Sequence, residues 1–259
     1  MPELQTLPAE ILRPDPATFE QGDFIWPKKP GVLVPYSTSY ITEMKLVPTD
    51  FYDEPTWVAE KKLYLERQAS DPASQLSATD RTRLAELSFA EFAAEYAGIE
   101  SVDVEDLGTD TKIEEFALGT IVYVGHVGII EIEGGKPFVI EAISGKGVIR
   151  HSYADWLSSR PGEEVWHGRI KNLSGEQRAK VAVEAKKYLG RPYEFFNFDL
   201  NDDSGFYCSK LVWLAAFRSL NIAIDGNSDS KRRFWFSPKQ LMNSEKVQVL
   251  FSPGSYTNH

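Results

Sequence analysis

The chain has 259 residues, 42% of them hydrophobic and 25% charged, with a formal net charge of -10. That length and composition suit a soluble globular protein of one large or two small domains, whereas phosphate-backbone binding needs concentrated Lys and Arg that so acidic a chain does not supply. A single cysteine excludes an intrachain disulfide and a multi-cysteine zinc site, and leaves the compartment open.

The opening Met1-Pro2-Glu3-Leu4-Gln5-Thr6 has no basic stretch leading into an apolar one, so no secretory signal is expected. Nor does any apolar run approach the roughly 18 residues of a membrane span. The expectation is a protein without an integral membrane segment, cytoplasmic as synthesised, whose export would use a route that reads no N-terminal signal. From Met1 to about Asp50 the chain is rich in proline and aromatics with little periodicity, which reads as an irregular arm laid over something else. Helical spacing begins at Thr56 and runs to Gln68; Ser77-Ala78-Thr79-Asp80 then leads into a second helix from Arg81 to Tyr96, with Ala85, Phe89, Phe92, Ala93 and Tyr96 on one packing face and Gly98 as its stop.

Beyond Leu118 the period becomes that of strands: Thr120 to Ile132, then Glu133-Gly134-Gly135-Lys136, then Pro137 to Ile143. Two glycines between β-branched runs are a hairpin signal. A helix follows at Ser174, with Gln177 completing a capping box and Gly190 and Pro192 as the stop. After a polar loop, Asn197 to Gly205, the last helix starts at Cys208 and continues to about Leu220. Lys231-Arg232-Arg233 reads as a solvated loop edge, and Trp213, Phe234, Trp235 and Phe236 as core packing before a ligand groove. These changes of period divide the chain into a helical and irregular accessory region, 1–116, and a second domain, 117–259.

Cys208 stands where a polar turn meets an apolar-periodic helix, in Gly205-Phe206-Tyr207-Cys208-Ser209-Lys210. A helix N-terminus favours the thiolate, the nucleophilic form, through its dipole and unpaired N–H groups. A free cysteine is also commonly a small buried hydrophobe, and position alone leaves both readings open. The hairpin separates them. A two-residue turn at Gly134-Gly135 pairs Glu133 with Lys136 and hence Gly128 with Glu141 and His126 with Ile143, so His126 and Glu141 are diagonal neighbours on one face. A carboxylate on one ring nitrogen orients the other toward a thiol, which completes the three roles of cysteine acyl transfer. Taken singly, His126 reads as a core histidine and Glu141 as a strand-end charge; taken with Cys208 they favour catalysis. His151, His167 and His259 fit such a role less well, and no H-E-x-x-H or paired-histidine spacing points to a metal. No cofactor is expected.

Four segments carry a family resemblance: Gly125-His126-Val127-Gly128-Ile129-Ile130, Val139-Ile140-Glu141-Ala142, Leu189-Gly190-Arg191-Pro192-Tyr193-Glu194-Phe195 and Phe206-Tyr207-Cys208-Ser209-Lys210-Leu211-Val212. In this order they resemble the circularly permuted papain-like hydrolases of the NlpC type, the YiiX-like group, from about Leu118 to Leu250. The resemblance implies an α+β fold, an antiparallel sheet packed on the cysteine helix, here with a mainly helical N-terminal extension. It implies Cys208 as nucleophile, His126 as general base and Glu141 as its orienter. Tyr193, in the G-[RK]-P-Y pattern, and Tyr207 are implied at the substrate site, although Tyr193 reads equally as a core aromatic. The run from Gly119 to His126 lacks the family's usual loop before the histidine.

The resemblance further implies an amide hydrolase acting on peptidoglycan stem peptides. That substrate and the absent leader are reconciled by an antibacterial effector delivered by a secretion machine and matched by an immunity protein, or by a peptidase that recycles wall fragments. A lipid or protein acyl hydrolase or acyltransferase of related fold is the alternative enzyme, disfavoured by glutamate at the third position and the lack of an apolar membrane-facing segment. A non-catalytic binding module is the alternative outside enzymology.

Overall fold

A computed structural model describes residues 13–28, 51–72, 74, 76–89, 91–92, 121–123, 125–232, 235–254 and 256. Its strands are β1 (Phe24–Lys28), β2 (Phe51–Asp53), β3 (Ile121–Tyr123), β4 (Gly128–Glu133), β5 (Lys136–Ile143), β6 (Gly147–Ser152), β7 (Glu164–Ile170) and β8 (Val247–Phe251). Its α-helices are α1 (Glu54–Ser70), α2 (Ala78–Glu86), α3 (Tyr153–Ser158), α4 (Gly175–Lys186), α5 (Cys208–Leu220) and α6 (Pro238–Met242). Six strands form one antiparallel sheet in the order β6-β5-β4-β1-β7-β8, and β2 pairs with β3 apart from it. The fold is α+β.

Alternation along the strands sorts the sheet's side chains between two layers. Phe24, Trp26, Ile129, Ile140, Ala142, Val148 and Trp166 join the core built with α4 and α5. Ile25, Ile130, Val139 and Val165 face the other way, onto Phe19 and the α3 residues Tyr153 and Trp156. The Gly134-Gly135 turn, with both φ values positive, sets the β4–β5 register at Glu133↔Lys136 and Ile129↔Ile140, the register that a two-residue turn demands. Ser174 caps α4 in a reciprocal box with Gln177, and α5 ends at Asn221 in the left-handed conformation.

Several expectations need correcting. Phe24–Lys28 is an inner strand of the sheet, between β4 and β7, so this part of the arm belongs to the core layer rather than lying over it. β4 pairs with β1 only at Phe24 and Ile25, which leaves Pro27, unable to donate, facing no partner on that side. The run from Thr120 to Ile132 is two strands: Gly125 takes a φ of 73°, and β3 goes to β2 while β4 joins the large sheet. The second helix ends at Glu86, and Ala85 is exposed; Phe89 and Phe92 are buried around Trp57, at ring separations of 5.6 and 5.4 Å, while Ala93, Tyr96 and Gly98 lie outside the described residues. Trp213, Trp235 and Phe236 are buried in the core, and Phe234 also lies outside the described residues.

Gly145 and Gly147 both hold positive φ in the β5–β6 turn, but they differ in surroundings: an added Cβ at Gly145 meets nothing, whereas at Gly147 it would overlap the Arg191 carbonyl. Both alanine substitutions carry left-handed strain, and Gly147→Ala carries the overlap as well. Thermal unfolding is expected to show Gly147→Ala melting about 4–8 °C below Gly145→Ala, the equivalent of roughly 2 kcal/mol at this size. Equal melting points would remove the close approach of β6 to the 191 carbonyl.

Candidate active site

Three parts of the fold converge on one imidazole. Gly125 turns the chain just ahead of β4, so His126 sits before the pleat begins. Glu141 lies near the end of β5 on the α3 side of the sheet, and Cys208 is the first residue of α5 on the opposite side. All three are buried, with 1%, 0% and 4% of their surface exposed respectively. His126 Nε2 lies 2.6 Å from Glu141 Oε2, and Cys208 stands near enough to the same ring to raise its pKa. The diagonal placement of His126 and Glu141 across the hairpin is therefore realised as a contact. A Cβ at Gly128 would stand 3.7 Å from Glu141 Cβ, an ordinary contact, but 2.7 Å from Val139 Cγ1, so it is Val139 that the glycine accommodates.

Glu141 is the electrostatic centre. Burial opposes its ionisation, but the Arg160 charge, the His126 charge and hydrogen bonds from His126 and His151 hold its carboxyl well below the usual carboxylate range. An ionised carboxylate only accepts, so His126 Nε2 carries the proton and Nδ1 is left for the thiol. Burial pulls the His126 pKa down; the Glu141 charge and the neighbouring Cys208 outweigh it and push the value up to about 10. The ring is thus an imidazolium at neutral pH, the partner a thiolate requires.

Further donors complete the carboxylate shell. Trp156 Nε1 of α3 donates to Glu141 Oε2 at 2.9 Å, Arg160 reaches the same oxygen at 3.5 Å, and His151 Nε2 of β6 donates to Oε1 at 2.6 Å. His151, like His167 and His259, was not expected here. A register signal for it exists: the Ser144-Gly145-Lys146 turn pairs Val139 with His151, which makes His151 the diagonal neighbour of Glu141 on its other flank. His167 instead bonds Asp23 at 2.7 Å, with Arg169 on the same carboxylate at 2.8 Å and the Phe19 ring 4.8 Å away, a buried pair tying β7 to the turn before β1. His259 lies outside the described residues.

Tyr207 is fully buried as the N-cap of α5 and its hydroxyl accepts from the Phe236 N–H at 3.2 Å. Tyr193 is half-buried and bridged to Phe206. The Tyr207 side chain does not cap α5, so it leaves the first N–H groups of the helix, beside the thiol, unbonded to it. Lys210, in the first turn of α5, is fully buried and donates to the Asn197 carbonyl at 3.2 Å; burial lowers its pKa to about 7, with the Asp202 and Asp199 charges opposing the fall, and nothing in the sequence singled it out. A cavity of about 560 Å³ opens between α1, α2 and the 196–204 loop, and neither Cys208, His126 nor Glu141 lines it. Among the described residues no group of three or more His, Cys, Asp or Glu side chains is placed to hold a metal ion.

Along the chain the order is a histidine ahead of β4, a carboxylate on β5, and then the cysteine at the start of the helix packed on the sheet. Residues 110–252 match the family described as permuted papain-like amidase enzyme, YaeF/YiiX, C92, and the chain belongs to that family. Among its relatives is the uncharacterized protein YiiX of Escherichia coli K12, 32% identical over 137 residues, a match spanning 52% of this chain and 65% of that protein. A crystal structure titled metalloprotein yiiX from Escherichia coli O157:H7 aligns over 49% of this chain and 82% of its own, at 24% identity and a TM-score of 0.41.

The coupling of His126 to Glu141 has a pH signature. The folded-state pKa is raised above the unfolded value near 6.5, so the stability this pair contributes is complete below about 6.5 and is lost as pH rises through about 10. Ring NMR is expected to show His126 deprotonating near pH 10, and in Glu141→Gln moving down by several pH units. An unmoved titration in that variant would remove Glu141 as the source of the shift.

Proposed function

We propose that this member of the amidase family is a cysteine peptidase or amidase that cleaves an amide bond in peptidoglycan stem peptides, with Cys208 as nucleophile, His126 as acid and base, and Glu141 as its orienter. The observation that carries the reading is the buried imidazole bonded to a buried carboxylate at 2.6 Å, with the lone thiol beside the same ring.

The Cys208 thiolate attacks the carbonyl carbon and forms the C–S bond, and the carbonyl electrons move to oxygen beside the uncapped N–H groups of α5. Collapse of this oxyanion breaks the C–N bond, and His126 delivers its proton to the departing amine. Water then attacks the thioester; His126, now neutral, takes its proton, the acid is released and the thiolate–imidazolium pair is restored. Tyr193 is assigned to the substrate wall. Tyr207 acts there through the cap position it gives Cys208, its hydroxyl being engaged by Phe236. The stem-peptide assignment rests on resemblance to NlpC-type hydrolases, and the same reading takes in an antibacterial effector with an immunity partner.

The test is mass spectrometry of peptidoglycan digests incubated with wild type and Cys208→Ala. Stem-peptide fragments are expected from wild type alone, with turnover in Cys208→Ala reduced at least about a thousand-fold while the fold is retained. Absence of fragments with rapid alkylation of Cys208 by iodoacetamide near neutral pH would move the substrate to lipid or protein acyl groups. An inert thiol would overturn the catalytic reading.

A further inference from the structure

Glu141 uses its two oxygens unequally. Oε2 takes His126, Trp156 and Arg160, whereas Oε1 has one donor among the described residues, His151 Nε2 at 2.6 Å. The carboxylate is fully buried, while the side chain of His151 retains 23% of its exposure on the edge strand β6. We propose that His151 is a positioning residue of the reaction: by holding Oε1 it fixes the plane of the Glu141 carboxylate, and so the direction in which Oε2 aims the His126 ring at Cys208. This rests on the cysteine-hydrolase reading above and adds to it a fourth member, from the opposite flank of β5.

The physical argument is one of torsion. A carboxylate has little torsional preference of its own about its terminal sp³–sp² bond, and with the other donors gathered on Oε2, His151 is the contact among the described residues that holds Oε1. Without His151, Oε1 becomes a buried acceptor with an unmet hydrogen bond, and rotation would share the Trp156 and Arg160 donors between both oxygens. Oε2 would then leave the line to His126 Nε2, and the ring would swing with it. Displacements of about 1 Å from productive geometry cost on the order of a hundred-fold in rate. Sequence gives His151 no local reason to be buried against a charge: its partner strand position is Val139, a core residue, and its contact runs diagonally to Glu141.

The charged groups around the pair are few. Glu141 faces His126 before β4, His151 on β6 and Arg160 after α3, and Arg160 is backed by Glu163 at 3.5 Å, with Arg13 bound to the backbone carbonyls of both. Trp156 is the neutral donor.

The test uses the full chain with His151→Ala and His151→Gln, and reads kcat and KM on the fragment-releasing peptide together with the pH profile of Cys208 alkylation by iodoacetamide. His151→Ala is expected to lower kcat roughly ten- to hundred-fold with KM within about two-fold of wild type, and to displace the alkylation profile. His151→Gln, whose amide N–H can still donate to Oε1, is expected to recover most of both. If His151→Ala does not fold, His151→Phe, which keeps a ring and removes the donor, takes its place. Wild-type kcat and profile in the donorless variants, with Cys208→Ala dead, would overturn the positioning role alone. A wild type with neither turnover nor rapid alkylation would overturn the underlying cysteine reading, and this role with it.

Discussion

A carboxylate at zero exposure is the constraint around which the site is organised. Moving an isolated charge out of water costs several kcal/mol even after relaxation, so Glu141 can stay ionised only where donors surround it. The fold supplies them from four places: the residue ahead of β4, the strand β6, the helix α3 and the turn after it. Each contact constrains an element that would otherwise be free to shift. The short α3, six residues long, has little stability of its own; stacking of Tyr153 on Trp156 at 5.7 Å and the Trp156 bond to Glu141 hold it to the sheet. The same charge that fixes the structure gives the imidazole its proton affinity, so structural and chemical roles cannot be separated at this position.

The C-terminal half of the fold was legible wherever local rules fix geometry. Two consecutive glycines dictate a two-residue turn, a two-residue turn dictates register, and register placed His126 beside Glu141 before any coordinates were needed. Cys208 was legible because a polar turn followed by apolar period marks a helix start. Capping chemistry made Ser174 and Gln177 equally plain.

What stayed hidden depends on distant partners. β1 is buried on both faces, so it shows no alternation, and its strand neighbours come about a hundred residues later or more. Pro27 argued against a strand, and only the absence of a β4 partner at that point admits it. His151 was passed over because its place beside Glu141 depends on a second turn, Ser144-Gly145-Lys146, and not on the Gly134-Gly135 turn that placed His126. Trp156 and Arg160 belong to a helix too short to carry a period and to the loop beyond it. Lys210 lies on an otherwise apolar helix, where nothing local announces that the Asn197 carbonyl will meet its ammonium.

The order of the chain has a consequence for how reactivity is acquired. The imidazoles and the carboxylate belong to two successive hairpins, with Glu141 only 15 residues from His126 and 10 from His151. Contacts of such short range cost little loop-closure entropy, whereas docking α5 closes a much longer loop. The histidines and the carboxylate are therefore complete in the part of the polypeptide that leaves the ribosome first, and Cys208 comes to them last. Until α5 seats, the sulfur is an ordinary side chain without an imidazole beside it; on the proposed cysteine-hydrolase reading, a nascent or partly unfolded molecule carries no armed thiol to react with its surroundings.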